Sequence, residues 1–510
     1  MSELHDTKEK NGIAVTHELN VSGSHHDAVH HDDPAYDVID PAAERKLVFK
    51  LDILILPLTA LLYLSAFLDR SNMGNAKLQG LFKILGSNPD TKFSIILSCF
   101  YITYIILNVP GTVLSTLVEP SMSIALGTLI WSVACSAQAG AHNFGGLVAT
   151  RLFIGIGEAM FTCSVAMYYG MWYKRTEIAA RVSLFIGSGT LAGAFGGLIA
   201  YGVSFIHSSK LETWRILFLI EGLPGILLAL CIFLFLPSRP EKSSLDVNAA
   251  ERELALRRLG GSRVAAGHAF EWSAVRHAFS QHTAYLNGVI CIGLNCSVAS
   301  VAGFLPTIVK SFGYSNARAQ LFTVPPYAFA FVGSLIICFL SDRTKHRGLW
   351  VVLTQVCGTV GFAVLIGVTK NMGARYFGTF LVVLGGFGGI PLMLAWAGDT
   401  AGSQTTAAVR MGLMNGIGQC FAILASFIFP TKEGPHWYKG FGINLGFCVL
   451  SLITALYLTW YYRHENARRD KAGDFAPTSG ALDSPSGEKG QVVVPQAQLH
   501  DYAPGFRYTT

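Results

Sequence analysis

Two adjacent residues of opposite charge, Asp69 and Arg70, follow a long apolar run. A charged side chain at the centre of a membrane costs about 2.5–3.5 kcal/mol, and charges found there usually serve a function. An acid beside a base could also neutralise itself locally and mark the end of a helix. The polar residues that continue the segment, Ser71, Asn72 and Asn75, favour the functional interpretation. We therefore expect this segment to face a solute pathway.

A second pair of charged residues, Arg151 and Glu158, lies in another apolar segment. Their spacing is close to two helical turns, so both side chains project from one face, about 10 Å apart along the axis. If that face meets the first segment, the two pairs share one cavity, where a nearby arginine favours the ionised form of a carboxyl group. Such a cluster is suited to proton coupling, in which a carboxylate takes up a proton and loses it when an arginine returns. A fixed salt bridge that locks two helices is the alternative.

The composition indicates which elements must position these charges. The 510-residue chain is 51% hydrophobic and 14% charged, and its mean hydropathy is +0.43. These values are typical of a protein that crosses the membrane several times. The net charge of +6 is small for this length and does not indicate nucleic-acid binding. All ten cysteines fall within apolar runs without a Cys-x-x-Cys pair, so we expect neither a disulfide nor a structural metal site.

Twelve apolar segments are each about long enough to cross ~30 Å of hydrocarbon as a helix. They lie at 51–75, 93–116, 121–139, 145–168, 181–206, 215–236, 284–308, 321–341, 349–369, 376–398, 409–430 and 440–462. A longer polar connector follows the sixth segment, and similar patterns at 176–187 and 405–416 predict two related halves. The predicted fold class is an all-α membrane protein with twelve transmembrane helices in two six-helix bundles.

The predicted domains follow this division. They are a disordered tail at 1–46, an N-terminal bundle at 47–237, a connector at 238–281, a C-terminal bundle at 282–462 and a disordered tail at 463–510. Basic residues in the connector and in short loops predict that the connector and both termini are cytoplasmic, although the lysines of the first outer loop disagree. A surface helix is predicted at 247–259. We expect a monomer in the plasma membrane, and we assign no metal site to the histidine-rich N-terminal tail.

Polar residues within the spans are candidates for substrate binding. They are Asn72, Tyr101, Tyr104, Asn108, Asn295, Trp396, Asp399 and Asn415. Asn415 is the strongest of those outside the first span, because an amide within a span requires a polar partner. Tyrosine and tryptophan are also common where a helix meets the membrane surface, which weakens their assignment.

Other residues are candidates for gating or structural roles. Asp342 and Arg343 join spans eight and nine, where an ion pair could hold one arrangement of the two bundles. The alternative is an ordinary basic loop on the cytoplasmic side. In span five, Gly189, Gly193 and Gly197 recur every four residues, which favours close helix packing over a role in binding substrate.

The sequence contains no recognisable catalytic pattern. It lacks a Walker loop, a His-Glu-x-x-His motif and a Gly-x-Ser-x-Gly motif. We therefore expect no enzyme activity and no cofactor. The energy for transport should come from an ion gradient, with a proton gradient as our expectation, or from the gradient of the substrate itself.

Several segments resemble the major facilitator superfamily and, within it, the fungal anion:cation symporters of the allantoate permease-like group. These segments are Phe67–Ala76, Arg151–Ala159, Trp172–Glu177 and Glu465–Asp470. The resemblance implies a two-bundle fold with alternating access and proton-coupled uptake of a small organic anion. It further implies that Arg70 binds the substrate carboxylate. Asp69 and Glu158 would then handle protons, and Arg151 would tune them.

The chain departs from the pattern of that group in spans two, four and ten and in the loop after span two, and these departures leave the substrate open. The departures are at Asn108–Thr112, near Cys163, at Asp399 and at Val118–Pro120. We expect a secondary active transporter that imports a small carboxylate, such as a vitamin, a ureide or an aromatic acid, together with protons. Two alternatives stay open. One is a facilitator that exports a specialised metabolite, which Ala194 after Gly193 disfavours because drug antiporters of the superfamily tend to carry Gly-Pro there. The other is a transporter-like nutrient sensor.

Overall fold

The computed structural model describes residues 40–206, 210–237, 239, 249–266, 272–402, 404–471 and 507–510. These parts of the chain are almost entirely helical. The helices are α1 (Pro41–Leu78), α2 (Pro89–Leu117), α3 (Pro120–Gln138), α4 (Phe144–Trp172), α5 (Arg175–Val203), α6 (Thr213–Phe235), α7 (Ala249–Ala266), α8 (Trp272–Ser280), α9 (His282–Lys310), α10 (Asn316–Leu321), α11 (Val324–Thr344), α12 (Arg347–Gly367), α13 (Met372–Asp399), α14 (Gln404–Ala425) and α15 (Tyr438–Lys471). Two short 3-10 turns lie at Leu81–Ile84 and Thr431–Glu433.

Twelve helical segments in these ranges are long and apolar enough to span a membrane. They are α1 to α6, α9, the continuous segment formed by α10 and α11, and α12 to α15. The predicted all-α fold class with twelve spans is confirmed.

The helices extend beyond the predicted spans at both ends of the chain. α1 begins at Pro41, and α15 continues to Lys471, past the predicted start of the second tail. Within α15, Glu465 accepts hydrogen bonds from Arg468 at 2.8 Å and from Arg469 at 3.1 Å. Such pairs one turn apart stabilise a helix that has left the apolar region. The other predicted tail residues, 1–39 and 472–506, lie outside the described residues.

Two sets of helices form the two halves of the protein. In the N-terminal half, α4 packs on α2 and α3, α6 packs on α3, and α1 packs on α5. In the C-terminal half, α13 packs on α11 and α12, and α9 packs on α14 and α15. The halves meet through α1 with α9, α2 with α14, and α5 with α11.

Glycines bring helix backbones together within each half. A methyl group on Gly157 of α4 would lie 2.6 Å from the carbonyl oxygen of Gly127 in α3. A methyl group on Gly385 of α13 would lie 2.5 Å from the backbone nitrogen of Gly358 in α12. Helices within lipid gain little from the hydrophobic effect, so such close backbone contact is a main source of their association.

The outer surface of the helices is apolar. Phe49, Leu227, Phe339 and Trp460 each expose at least 60% of their surface. In water such exposed large side chains would favour aggregation. Around a bundle of membrane length, they are instead the side chains that contact lipid tails.

The connector contains a helix that is anchored to the N-terminal half. The surface helix predicted at 247–259 is found as α7, Ala249–Ala266, although 247 and 248 lie outside the described residues. Arg258 of α7 is buried, pairs with Glu177 of α5, and lies 3.4 Å from a carboxylate oxygen of Glu44 in α1. We call the end of the bundles that carries these residues the connector side.

Candidate functional site

An ion pair joins the first predicted charged segment to the second. Nε of Arg70 in α1 donates a hydrogen bond of 2.9 Å to Oε2 of Glu158 in α4, and Nη2 of Arg70 contacts the same oxygen. The Glu158 side chain is 1% exposed and that of Arg70 is 12% exposed. Oε1 of Glu158 is buried and has no hydrogen-bond partner among the described residues. The pair therefore holds its opposite charges in an almost dry environment.

Aromatic rings surround the guanidinium of Arg70. Its central carbon lies 4.7 Å from the ring centre of Phe67, 4.9 Å from that of Phe100 and 5.4 Å from that of Tyr104. Tyr101 packs against Phe100 with 5.0 Å between ring centres and lies within electrostatic range of Arg70. These rings stabilise a cation over their faces. Of the predicted binding residues, the structure thus brings Tyr101 and Tyr104 to Arg70.

Asp69 faces a different helix from Arg70. Its Oδ1 accepts a hydrogen bond of 2.8 Å from the thiol of Cys135 in α3. Nη2 of Arg151 donates to the backbone oxygen of Asp69 at 3.3 Å, and the charge of Arg151 acts on both Asp69 and Glu158. The four predicted charged residues are therefore close together. They form two sets of contacts, one between Arg70 and Glu158 and one around Asp69, and Arg151 lies near both. Adjacent helical residues point about 100° apart, which separates Asp69 from Arg70, but a sequence pattern does not predict which helix each of them faces.

Asn72 is buried inside the N-terminal half. Its Nδ2 donates a hydrogen bond to Oε2 of Glu221 in α6, and Asn72 is completely buried. The structure does not bring Asn72 to the rings around Arg70. Glu221 is not among the sequence candidates, although it lies in the predicted sixth span. The cost of a buried charge, which singles out Asp69, would have identified it as well.

The predicted asparagines of the C-terminal half make local contacts. Nδ2 of Asn295 in α9 donates a hydrogen bond of 3.0 Å to the backbone oxygen of Cys291, and the same nitrogen lies against Gly418 of α14. Oδ1 of Asn415 in α14 accepts a hydrogen bond of 3.4 Å from the side-chain nitrogen of Gln419. Both residues are partly exposed. Within the described chain, neither forms a hydrogen bond to the Arg70–Glu158 pair.

Trp396 lies at the connector side, away from Arg70. Its Nε1 donates a hydrogen bond of 2.8 Å to the backbone oxygen of Thr509, and its ring centre lies 5.8 Å from that of Tyr462. Tyr508 stacks on Tyr462 with ring centres 4.7 Å apart. The structure thus places Trp396 in a contact with residues 507–510 and not beside Arg70.

The predicted gating residue Asp342 belongs to an ion-pair network of the C-terminal half. Arg347 at the start of α12 lies 2.9 Å from Asp342 in α11 and 2.5 Å from Asp399 at the end of α13. Arg343 is exposed. This network joins three helices of one half, and it includes Asp399, one of the predicted binding residues.

The glycines of span five face two different partners. A methyl group on Gly189 would lie 2.7 Å from the ring of Tyr63 in the same half. One on Gly193 would lie 2.3 Å from the ring of Tyr327 in α11, and one on Gly197 would lie 2.3 Å from Oγ1 of Thr323. The last two glycines therefore bring the halves into contact.

Further contacts close the halves together on the side opposite the connector. A methyl group on Gly74 would lie 2.7 Å from the carbonyl oxygen of Gly303 in α9. Asn316 donates a hydrogen bond of 2.9 Å to the backbone oxygen of Leu78, and Gln320 donates one of 3.2 Å to the backbone oxygen of Asn75. We call these contacts, together with those of Gly193 and Gly197, the seam. The seam joins the halves on this side.

Known membrane transporters are similar to this chain in sequence. The family model described as Major Facilitator Superfamily matches residues 59–423. A Schizosaccharomyces pombe protein named uncharacterized transporter C11D3.18C is 30% identical, over 88% of this chain and 91% of its own length. The high-affinity nicotinic acid transporter of Saccharomyces cerevisiae is 28% identical, over 91% of this chain and 85% of its own.

The architecture is also that of solved transporters. The crystal structure of a D-xylose-proton symporter matches 80% of this chain and 97% of its own, with a TM-score of 0.59 at 14% identity. At that identity the likeness shows the fold alone. The sequence match across most of the chain shows the family. The chain is a membrane transporter that belongs to the major facilitator superfamily.

Proposed function

We propose that this protein imports a small organic anion, a carboxylate, together with a proton by alternating access. The observation that carries the proposal is the Arg70–Glu158 ion pair. The carboxylate of Glu158 is bound to the guanidinium of Arg70, which is the group that would bind a substrate carboxylate. Binding of the substrate and release of Glu158 are therefore linked.

Protonation of Glu158 supplies that link. A neutral Glu158 no longer competes for the positive charge of Arg70, which then binds the substrate carboxylate in its place. The net charge of the pocket stays the same, because one carboxylate replaces another. Proton and anion thus favour each other's binding, as symport requires. When the substrate leaves, Glu158 loses its proton and pairs with Arg70 again.

The rings around Arg70 favour a flat substrate. Phe67 and Phe100 offer aromatic faces, and Tyr101 and Tyr104 add hydroxyl groups to the same wall. An aromatic carboxylate would stack on such faces while its charge binds the guanidinium. The name of the nicotinic acid transporter among the relatives supports this substrate class.

Opening of the seam completes the transport cycle. By the positive-inside rule we place the connector in the cytoplasm. The seam then lies on the outer side, and it must separate for the protein to open outward. The two bundles, proposed at 47–237 and 282–462, would move as units about the pocket. We further propose that the protein acts as a monomer in the plasma membrane, with both termini cytoplasmic.

Uptake by cells that express the protein tests this proposal. A panel of labelled carboxylates is supplied at acidic and at neutral outside pH, with and without a protonophore. Acid-stimulated accumulation of one compound, abolished by the protonophore, is the expected result. Faster loss of a compound from preloaded cells, without accumulation of any, would instead establish an exporter and reject the import proposal.

A further inference from the structure

Glu221 is a buried acid that the proposed cycle leaves unused. It lies in α6 and is 6% exposed. Oε2 accepts the hydrogen bond from Asn72, whereas Oε1 is buried and has no hydrogen-bond partner within the described ranges. An ionised carboxylate in such a position would be strongly destabilised unless a cation neutralised it.

The arginines of α1, α4 and α6 that lie within the bundle are engaged with other groups. Arg70 pairs with Glu158, and Arg151 donates to the backbone oxygen of Asp69. On α6 itself, Nη1 of Arg215 donates a hydrogen bond of 2.5 Å to the backbone oxygen of Ala139. In the part of the chain that the structure describes, no lysine or arginine pairs with Glu221.

The other helices that pack on α6 supply few charged groups near Glu221. α1 contributes Asp69, which lies one turn before the Asn72 that bonds to Glu221. α3 contributes the thiol of Cys135, which bonds to Asp69 and lies 3.9 Å from the backbone oxygen of Phe218, one turn before Glu221 on α6. The charged residues of α5 all lie in its first two turns, at the connector side, where Glu177 pairs with Arg258 and Arg181 pairs with Asp52. The charged neighbour of Glu221 is therefore another acid.

Close packing keeps water away from this pair of acids. A methyl group on Gly222 would lie 2.4 Å from Oγ of Ser136, and one on Gly225 would lie 2.3 Å from Oγ of Ser132. Both serines belong to α3, so the surfaces of α6 and α3 are in direct contact beside Glu221. Solvent cannot screen the repulsion between two carboxylates in such a place.

We propose that Glu221 and Asp69 form a second proton-binding site, behind the substrate pocket, that holds one shared proton. Two neighbouring buried acids, one of which pairs with no cation among the described residues, do not both ionise. The Oδ1 atom of Asp69 accepts from the thiol of Cys135, and Arg151 binds the backbone oxygen of the same residue. Glu221 instead accepts from the neutral amide of Asn72, so the proton resides on Glu221. When Arg151 moves away from Asp69, the O–H bond of Glu221 breaks and one forms on Asp69. This transfer needs no other reactant.

The role of this site in coupling rests on the proposed symport, whereas its protonation state does not. Infrared spectroscopy of the purified full-length protein at neutral pH measures that state through the carbonyl stretch of protonated carboxyl groups. We expect the wild-type protein to show a band that is lost in Glu221→Gln. The variants Glu221→Asp and Asp69→Asn should keep such a band. Glu253→Gln is the matched control, because Glu253 is an exposed acid of the connector.

The Gln variant should also fold, because glutamine has the shape and the neutral charge of a protonated glutamate. We expect its melting temperature to stay close to that of the wild type. A full wild-type band in a folded Glu221→Gln protein would overturn the proposal. So would a large loss of stability in Glu221→Gln that Glu221→Asp does not share, because it would show that the native side chain is ionised.

Transport assays then test the role of the site. In Glu221→Gln we expect counterflow exchange to persist, while the pH of half-maximal uptake shifts by about one unit, because residue 221 can no longer pass a proton to Asp69. An unchanged pH profile in a variant that has lost the infrared band would refute a role in coupling. If wild-type uptake shows no proton dependence at all, the proposed symport fails, and the infrared result still decides whether Glu221 holds a proton.

Discussion

Arg70 of α1 donates a hydrogen bond of 2.9 Å to Glu158 of α4, while Asp69, the residue before it, accepts one from Cys135 of α3. The adjacent acid and base therefore do not neutralise each other at a helix end, which was one interpretation of the sequence. Each charge has its partner on a different helix. A rotation of α1 against both α3 and α4 would change the surroundings of Asp69 and Arg70 at the same time.

Replacement of Arg70 tests whether it binds the substrate. In Arg70→Ala we expect substrate affinity to fall at least about 30-fold, since loss of a buried charge pair costs about 2–5 kcal/mol. Arg70→Lys should recover only part of this loss, because an ammonium lacks the planar fork of a guanidinium. Binding measured by calorimetry with the best uptake substrate checks this, with the exposed connector residue Arg257→Ala as the control. Wild-type affinity in Arg70→Ala would contradict the assignment.

Replacement of Glu158 tests proton coupling. Glu158→Gln mimics the protonated acid and leaves Arg70 permanently available to the substrate. We expect exchange of labelled for unlabelled substrate to continue, while accumulation driven by a pH gradient is lost. A fixed salt bridge predicts a different result, namely loss of folded protein with no selective loss of coupling. Normal pH-driven accumulation in Glu158→Gln would remove this residue from the mechanism.

The seam can be tested by adding bulk at Gly193. A leucine there would overlap the ring of Tyr327, and overpacking typically costs about 1–3 kcal/mol. We expect Gly193→Leu to favour the state that is open on the side opposite the connector. An impermeant thiol reagent applied from that side should then label Gln320→Cys faster. Gly202→Leu is the matched control in the same helix, because nothing lies within 4 Å of an added methyl group at Gly202. Equal labelling in both variants would show that the seam does not control access.

The connector offers two neighbouring arginines with opposite environments. The Arg258 side chain is fully buried and pairs with Glu177 and Glu44, whereas Arg257 is 53% exposed and pairs with Glu253. We expect Arg258→Ala to destabilise the attachment of α7 by about 3–5 kcal/mol and to lower the melting temperature clearly. Arg257→Ala should change stability by less than about 1 kcal/mol. Equal melting temperatures for the two variants would show that the connector does not stabilise the bundle.

The apolar segments predict the number of spans and the fold class because lipid allows few other structures for a backbone of this composition. The same reasoning identifies Asp69, Arg70, Arg151 and Glu158, since a buried charge is costly wherever it lies in a span. It does not predict the partners. Whether Asp69 faces Glu158 or Cys135 depends on how α1 is rotated about its axis, which packing against several helices determines.

The sequence predicts other parts of the site less well. Asn72 is polar and one turn from Asp69, but its partner Glu221 lies on α6 and could not be identified from local spacing. Trp396 is a plausible pocket residue by type, yet it contacts Thr509, which lies more than a hundred positions further along the chain. Contacts of this kind follow from the tertiary arrangement and leave no periodic pattern in the sequence.

Uptake into liposomes that contain only this protein tests the central claim most directly. A labelled aromatic carboxylate is supplied outside, and the outside is made acidic relative to the inside without any other gradient. The Arg70–Glu158 exchange predicts transient accumulation above the outside concentration, lost in Glu158→Gln and abolished by a protonophore. Accumulation that does not depend on the pH gradient, or equilibration alone in the wild-type protein, would contradict proton-coupled import.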